Sequence, residues 1–198
     1  MLTSSSSAEP KLTFDRLTLR CDASDSNIVN TTPWNWSICA GEKICIISSN
    51  SFLKDQLMAV ISGFVHPVSG DFEAFGSLSW PLGGEGGLDS KLTIGKGLEF
   101  LSSIYSDCLE ASLVSVDNFF EVLQTRSIDS NMRLKDLVKE QKDFFYMMLS
   151  ILFAFDIYIV PRSKYLMTKN ARPLRNLLHQ QLSDFISLVS VSINHRFW

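Results

Sequence analysis

The side chain best placed to do chemistry is that of Lys54, which lies between a predicted strand and a predicted helix. The residues Ile44 to Ile47 are typical of a β-strand, and an apolar pattern with a helical period then runs up to Gly63. A strand, a polar loop with a lysine and a helix form the layout of a phosphate-binding loop, in which backbone N–H groups and the lysine hold a triphosphate. This segment is therefore the first candidate for a nucleotide site.

The loop lacks most of what such a site needs. Glycines let backbone N–H groups approach phosphate oxygens without a β-carbon in the way, and the stretch Ser48 to Asp55 contains none. Asp55 stands where a Ser or Thr hydroxyl would hold Mg²⁺, and its charge would repel a triphosphate. The pattern therefore indicates a vestigial nucleotide site. Its candidate residues are Asn50, Ser51, Lys54 and Asp55.

Other residues that could do chemistry are scattered along the chain. The four cysteines lack C-x-x-C spacing, and the place of Cys45 in an apolar strand predicts a buried, reduced thiol. The three histidines lie far apart in the sequence, so no metal site is predicted. Trp34, Trp36 and Trp80 could form a platform for a sugar, but packing of half-buried strands is the preferred interpretation.

Composition and charge limit the class of protein. The 198 residues are 45% hydrophobic, and a net charge of -3 gives no broad footprint for nucleic acid or an anionic membrane. The longest apolar stretch, Phe144 to Val160, is interrupted by Asp156 and is short for a membrane span. Residues 1–10 lack the features of a signal peptide and predict a disordered lead-in to one domain over residues 11–198. We expect a cytoplasmic protein.

The periodicity of apolar residues predicts a mixed α/β domain. An antiparallel first third is followed by strands that are separated by helices, which implies parallel pairing through crossover connections. A hairpin is expected over Asp71 to Trp80, and a helical subdomain over about residues 94–135. The other predicted elements are strands near Leu12–Leu19, Trp34–Ile38, Ile44–Ile47 and Ile157–Val160, a long helix over Leu134–Phe155, a helix after Asn170 and a final strand in "SLVSVSI". The apolar composition of Ile44–Ile47 and Ile157–Val160 predicts that these two strands are buried in the interior.

The stretch "GSLSWPLGGEGGLDSKLT", which begins at Gly76, resembles a segment of the ATP-binding subunits of ABC transporters that export capsular and related polysaccharides. In that family a Gly-Ser-Val-Ser-Trp-Pro-Leu-Gly run follows the phosphate-loop helix. The stretches "SGDFEAFG" and "LSILFAFDIYIV" agree with the same order, so the resemblance extends from about Leu12 to Asn194. It implies the P-loop NTPase-like ABC ATPase fold, with a mixed sheet core, antiparallel strands at the N-terminus and a helical subdomain.

The resemblance also shows which catalytic groups of the family this chain lacks. Its Walker B stretch reads "IYIVPRS", with Pro161 in place of the Asp that orients magnesium and Arg162 in place of the Glu that activates water. Ile193 falls where the family has its switch histidine. Losing a general base typically costs about 10² to 10⁴ in rate, and here the metal contact is lost with it. The Walker B and switch positions are therefore degenerate.

Three further motif positions are altered in the same way. The family's signature Ser-Gly falls near Lys139 and Glu140, its Q-loop glutamine falls near Asp89, and its stacking aromatic falls on Cys21. An error in one alignment cannot account for losses in so many separate motifs. The resemblance and the losses together predict a protein that keeps the architecture and binds neither ATP nor Mg²⁺ as a cofactor.

Three functions follow as hypotheses. The first is a pseudo-ATPase that acts as a docking or regulatory subunit in polysaccharide export or biosynthesis. Its partner would be a membrane permease, an active ABC ATPase subunit or a polysaccharide-synthesis protein, with a homodimer as an alternative. It would bind no nucleic acid and would reach the inner membrane only through a partner. The second is a weakly hydrolysing ATP-binding transporter subunit that recruits Asp55 and Glu140. The third is a soluble interaction module without a link to transport.

Overall fold

The computed structural model builds the chain around two three-stranded sheets. It describes residues 9–21, 31–84, 87–160, 172–181 and 187–193, and of residues 180 and 187–193 it describes the backbone alone. The strands are β1 (Pro10–Thr18), β2 (Trp34–Cys39), β3 (Lys43–Ser48), β4 (Ser69–Ala74), β5 (Ile157–Val160) and β6 (Ser187–Ile193). The helices are α1 (Ser51–Ile61), α2 (Ile94–Ile104), α3 (Ser106–Glu110), α4 (Val116–Gln124), a 3₁₀ turn (Leu134–Asp136), α5 (Lys139–Leu152) and α6 (Arg172–Gln181).

The first sheet is antiparallel, in the order β2-β1-β4, as the alternating pattern of the first third predicts. Its central strand buries Leu12 and Phe14 on the same face. The ring of Phe14 stacks on Trp36 of β2 at 5.8 Å between centroids and meets Phe72 of β4 at 5.3 Å. Cross-strand aromatic pairs of this kind hold neighbouring strands in register. The aromatic side chains of this sheet therefore serve packing.

The second sheet is parallel, in the order β3-β6-β5. All four residues of β5 are buried, which confirms the prediction of an interior strand. The prediction was wrong for β3, because among the described strands β3 pairs only with β6 and so lies at an edge. Its residues alternate between half-buried and exposed, Ile47 is 53% exposed, and the Cys45 thiol is exposed rather than buried. An apolar composition does not reveal how many neighbours a strand has.

The segment Gly76–Gly83, which carries the resemblance, runs beside β5 in the parallel direction. The N–H groups of Ser79 and Leu82 donate to the carbonyls of Ile157 and Ile159 at 2.9 Å each, and the Ile159 N–H donates to the Ser79 hydroxyl. The predicted hairpin over Asp71–Trp80 is therefore wrong. β4 pairs with β1, and the residues that follow it cross to the second sheet.

Asp156, directly before β5, is the junction between the two sheets. Its Oδ2 accepts hydrogen bonds from the N–H and the hydroxyl of Ser77 at 2.8 Å each, and its own N–H donates to the Ser77 hydroxyl. The ammonium of Lys11, on β1, lies 3.1 Å from Oδ1. Burial acts to raise the pKa of Asp156, but the hydrogen bonds from Ser77 and the charge of Lys11 outweigh it, so this pKa lies below its ordinary value.

The helices between residues 94 and 124 share the larger hydrophobic core with α5. Thr93 and Ser115 cap α2 and α4 by accepting N–H groups of the first turns. The predicted long helix over Leu134–Phe155 is divided, because Leu137 and Val138 are extended between the 3₁₀ turn and α5. Residues 144–152 of α5 are all buried, so this helix is the centre of the larger hydrophobic core.

Trp80 is half-buried and packs against this core. Its indole N–H donates to the Ser150 hydroxyl at 2.9 Å, and its ring lies 5.5 Å from Tyr105 and 5.3 Å from Phe155. The Ser150 hydroxyl in turn donates to the carbonyl of Tyr146. A half-buried indole that packs against other rings and has a hydrogen-bond partner is a stable arrangement, so the preferred interpretation of this tryptophan as a packing residue is correct.

The Asp156 junction predicts a dependence of stability on pH. Because the pKa of Asp156 is lowered from 3.8 by folding, its contribution is present above that value and is lost as pH falls through the folded pKa. Asp156→Asn should lower the free energy of unfolding by about 1 kcal/mol at pH 7, since the side chain is partly exposed, and by less near pH 3. Urea unfolding at both pH values measures this. The control is Asp15→Asn, at an exposed ion pair, which should change the free energy of unfolding by less than about 0.5 kcal/mol. An equal effect of the two substitutions would show that Asp156 does not stabilise the contact between the sheets.

Gly76 predicts a second stability effect. It has φ +125°, and an added Cβ would lie 2.7 Å from Oδ2 of Asp156. Gly76→Ala should therefore cost about 3 kcal/mol, from the backbone and from displacement of the carboxylate. Gly63→Ala is the matched control, because Gly63 also has positive φ but no atom within 4 Å of its Cβ, and it should cost about 1 kcal/mol. If chemical denaturation gives similar losses of unfolding free energy for the two variants, the Asp156 carboxylate can move away from the added methyl group without a measurable energetic cost.

Candidate functional site

The candidate nucleotide site lies at the carboxyl end of the parallel sheet. Ser48 ends β3 and Ile193 ends β6, and the two residues are paired in register. Ligands of open α/β sheets bind at this edge, so the structure brings the predicted loop and the predicted switch position to the expected place. Pro161 and Arg162 follow β5 in the sequence, but they lie outside the described residues.

The turn between β3 and α1 is too short to form a cradle. Helix α1 begins at Ser51, so only Ser49 and Asn50 separate the strand from the helix. Ser51, Lys54 and Asp55 are therefore helical residues. None of the eight described residues from 48 to 55 has a positive φ, whereas a concave nest of N–H groups of the αR-αL form requires one.

The first turn of α1 is closed by a side chain of the protein itself. The side-chain oxygen of Asn50 accepts the N–H of Leu53 at 3.1 Å, and its amide donates to the carbonyl of Cys21 at 2.7 Å. The Ser48 hydroxyl accepts the Asn50 N–H at 3.1 Å. These bonds use groups that a phosphate would otherwise engage at a helix N-terminus. They also join the turn to Cys21, the residue on which the resemblance places the stacking aromatic.

Lys54 forms an ion pair with the adjacent Asp55. Its ammonium lies 3.3 Å from Oδ1 of Asp55, and the lysine side chain is 14% exposed while the aspartate is 72% exposed. A lysine whose charge is met by an adjacent carboxylate attracts a phosphate less strongly than an unpaired one. Of the four candidate residues, Asn50 therefore closes the turn, Ser51 starts the helix, and Lys54 and Asp55 neutralise each other.

The signature and Q-loop positions of the resemblance are exposed. Lys139 and Glu140 are the exposed first residues of α5. Asp89 is exposed in the turn before α2, where its carboxylate accepts the N–H of Lys91. No hydrogen bond or ion pair joins Glu140 to residues 48–55 in the described part of the chain. Its recruitment together with Asp55 has no support in these contacts.

A cavity that sequence reasoning missed lies near the opposite end of β5. It has a volume of about 530 Å³, and Asp156 and Ser77 form part of its wall. Cys108 also lines it, and burial raises the pKa of this thiol above its ordinary value, so the thiol is a weak nucleophile. The sequence carries no signal for this cavity, because its lining residues come from three separate stretches of the chain.

The described residues lack two features, a cluster that could hold a metal ion and a helix that could cross a membrane. No group of three or more His, Cys, Asp or Glu side chains there is arranged to hold a metal ion. No helix within the described ranges has both the length and the apolar run needed to cross a bilayer. His66 and His179 are exposed, and His195 lies outside the described residues.

Comparison with known sequences gives relatives in capsule export. The chain is 28% identical over 128 residues to the polysialic acid transport ATP-binding protein KpsT of Escherichia coli, covering 64% of this chain and 55% of KpsT. It is 33% identical over 84 residues to the capsule polysaccharide export ATP-binding protein CtrD of Neisseria meningitidis, covering 42% of this chain and 39% of CtrD. The chain thus spans about half or less of each relative. No protein-family model matches it.

Comparison with solved structures gives the fold. The ATP-binding subunit of an ABC transporter superposes with a TM-score of 0.69 at 13% identity, covering 92% of this chain and 79% of that subunit. An ABC transporter ATP-binding protein from Pyrococcus furiosus gives a TM-score of 0.64 at 16% identity, covering 94% of this chain and 93% of that protein. The predicted ABC ATPase fold is confirmed.

The Asn50 contacts predict how the turn responds to substitution. Asn50→Ala removes the helix cap and the bond to the Cys21 carbonyl, so the free energy of unfolding should fall by about 1–2 kcal/mol. Asn50→Ser keeps a capping oxygen and loses only the second bond, so its loss should be about half as large. Urea unfolding followed by circular dichroism measures both. An unchanged stability of Asn50→Ala would mean that the side chain does not hold the turn.

Proposed function

We propose that this chain, a relative of the ATP-binding proteins of capsule and polysialic acid export with the ABC ATPase fold, is a pseudo-ATPase that acts by docking. It would serve as a docking or regulatory subunit in polysaccharide export or biosynthesis, without hydrolysing ATP and without needing ATP to fold. The observation that carries the proposal is the turn after β3, where the Asn50 side chain caps α1 and no cradle forms.

Two properties of this turn argue against phosphate binding. A triphosphate needs several inward-pointing N–H groups and a metal-holding hydroxyl, and here the helix begins before Lys54 while Asp55 replaces the hydroxyl. To bind ATP, the chain would have to unwind the first turn of α1, break the Asn50 bonds and separate Lys54 from Asp55. Each of these steps subtracts from the affinity for the nucleotide.

The retained part of the resemblance supports an architectural role. Gly76–Gly83 has structural partners in this chain: Ser77 holds Asp156, Ser79 pairs with β5, and Trp80 bonds Ser150. None of these contacts requires a nucleotide. A segment that aligns β5 would be kept in a chain that uses the surfaces of the fold and not its chemistry.

Partners and location follow from the relatives as proposals. An ATP-binding subunit of a transporter works beside membrane components, so we propose a membrane permease, an active ATPase subunit or a polysaccharide-synthesis protein as the partner. The chain would then be a cytoplasmic protein held at the inner membrane through that partner. A homodimer is the alternative assembly, and without ATP between its halves it would need another interface.

Nucleotide titration tests the proposal. Calorimetric titration of the chain with Mg-ATP should give no binding tighter than about 1 mM, which corresponds to about 4 kcal/mol, and phosphate release should equal that of buffer. Lys54→Ala should behave like the unchanged chain in both assays, and an intact ABC ATPase measured alongside validates them. Micromolar binding with turnover that Lys54→Ala abolishes would refute the proposal in favour of a weakly hydrolysing subunit.

A further inference from the structure

The strand β3 presents a regular sheet edge. In the part of the chain that the structure describes, β3 pairs with β6 alone, and its backbone makes no hydrogen bond to any other strand. The pairing runs from Lys43 to Ser48 without a register shift. A strand edge of this kind carries a row of N–H and C=O groups that can pair with a further strand. β3 therefore has the backbone geometry to accept one.

The other sheet edges among the described residues are protected against such pairing. β2 has two register shifts in its pairing with β1. β4 carries the exposed carboxylates of Asp71 and Glu73 and has a register shift of its own. The second side of β5 is covered by the segment Gly76–Gly83. Bulges, charges and covering segments are the devices that keep sheet edges from associating, and the interior of β3 has none of them.

The side chains of β3 are apolar on both faces. Ile44 and Ile46 are half-buried against the smaller hydrophobic core. On the opposite face Cys45 is exposed and Ile47 is 53% exposed, and the only charged residue of the strand, Lys43, lies at its first position. An exposed isoleucine and an exposed thiol beside an unpaired edge form a surface that a further strand would cover.

We propose that β3 of one copy of this chain pairs with β3 of a second copy as antiparallel strands, around a two-fold axis perpendicular to the sheet. The two parallel sheets then join into one continuous sheet. The axis passes Cys45, so that each Cys45 lies opposite the Cys45 of the second copy. In the same register Ile44 lies opposite Ile46, and Lys43 lies opposite Ile47. Opposite residues of antiparallel strands share a face of the sheet, so each pair joins side chains of like exposure.

The pattern of side chains favours a second copy over the strand of another protein. The Ile44–Ile46 pairs are contacts between β-branched residues, which stabilise neighbouring strands. The aliphatic part of Lys43 covers the exposed Ile47 of the second copy, and the two Lys43 residues lie about 13 Å apart, so like charges do not meet. A two-fold contact uses the same edge of both copies, so it closes both edges at once and prevents further growth.

The inference goes beyond the proposed docking function and gives the homodimer an interface that needs no nucleotide. It concerns the long edge of β3, whereas the candidate nucleotide site lies at the carboxyl end of the sheet. The association is measured without nucleotide, so its result and the result of the Mg-ATP titration are independent.

The mass of the full chain in solution gives the first test. Size-exclusion chromatography with light scattering should give twice the chain mass of 22.3 kDa. We expect a dissociation constant of about 10 μM or tighter, since dimers much weaker than this are not specific assemblies of an ordinary cytosolic concentration. A monomer at about 100 μM, or a mass that keeps growing with concentration beyond the dimer, would overturn the proposal.

A charge substitution and its rescue test the register. Ile47→Lys places an ammonium group opposite Lys43 twice in each dimer, so it should raise the dissociation constant at least about tenfold. Adding Lys43→Glu to this variant makes both contacts attractive and should return the dissociation constant to within about threefold of the unchanged chain. Residues 43 and 47 are about 13 Å apart within one strand, so this rescue acts between copies. Loss of the dimer without rescue would overturn the assigned pairing.

The matched control is Val68→Lys. It makes the same change of charge at a β-branched residue that is 44% exposed and lies before β4, away from β3. It should change the dissociation constant less than about twofold. Circular dichroism and urea unfolding verify that both lysine variants fold. Equal losses in Ile47→Lys and Val68→Lys would show an effect of net charge alone and would overturn the proposal.

Cys45 provides a readout on the axis itself without a variant. Opposite residues of antiparallel strands have Cβ atoms about 4.5–5.5 Å apart, which is within the span of a short bismaleimide. This reagent should link Cys45 to Cys45 of the second copy, as identified by mass spectrometry of the joined peptide. Cys21, Cys39 and Cys108 are half-buried and should not form links between copies. Cys45→Ser should abolish the product and keep the dimer mass. A dimer that forms no Cys45–Cys45 link would overturn the proposal.

Discussion

A partly buried carboxylate before β5 is the constraint on which the arrangement of both sheets depends. Partial burial penalises the ionised carboxylate of Asp156, and the groups around it more than offset this penalty, so that its pKa lies below the ordinary value. Ser77 supplies two donors and Lys11 supplies the opposite charge. Since Lys11 belongs to β1 and Ser77 leads the segment beside β5, one side chain aligns the antiparallel sheet, that segment and the parallel sheet. Gly76 leaves room for the carboxylate where any other residue would collide with it.

The parts of the fold that the sequence predicts are those with a local cause. Period-two alternation identifies β1 and β2, and an unbroken apolar run identifies β5, because burial on one face or on both leaves these patterns. The hairpin and the position of β3 were predicted wrongly for the same reason. Turn residues after β4 mark a change of direction without naming the next partner, and the apolar run in β3 does not show that only one edge is paired.

The candidate site could likewise be predicted from the sequence only in part. The missing glycines and the substituted hydroxyl are visible in the sequence, so a degenerate loop was predictable as a hypothesis. The start of α1 at Ser51 and the bond from Asn50 to the Cys21 carbonyl were not, since that bond joins residues 29 positions apart. The cavity beside Asp156 was not predictable, because it is lined by residues of α3 together with Ala154 and Phe155, which lie far apart in the sequence.

Capping and phosphate binding compete for the same atoms. In a nucleotide-binding loop the N–H groups at the start of the helix donate hydrogen bonds to the ligand, and in its absence they donate to water. The Asn50 side chain engages one of them within the chain, so α1 has a capped start in the absence of nucleotide. A capped turn at this edge of the sheet is compatible with a fold that is stable without a ligand there. The turn after β3 thus has a defined geometry within the chain alone, because the hydrogen bonds of Asn50 to Leu53 and to Cys21 need no other molecule.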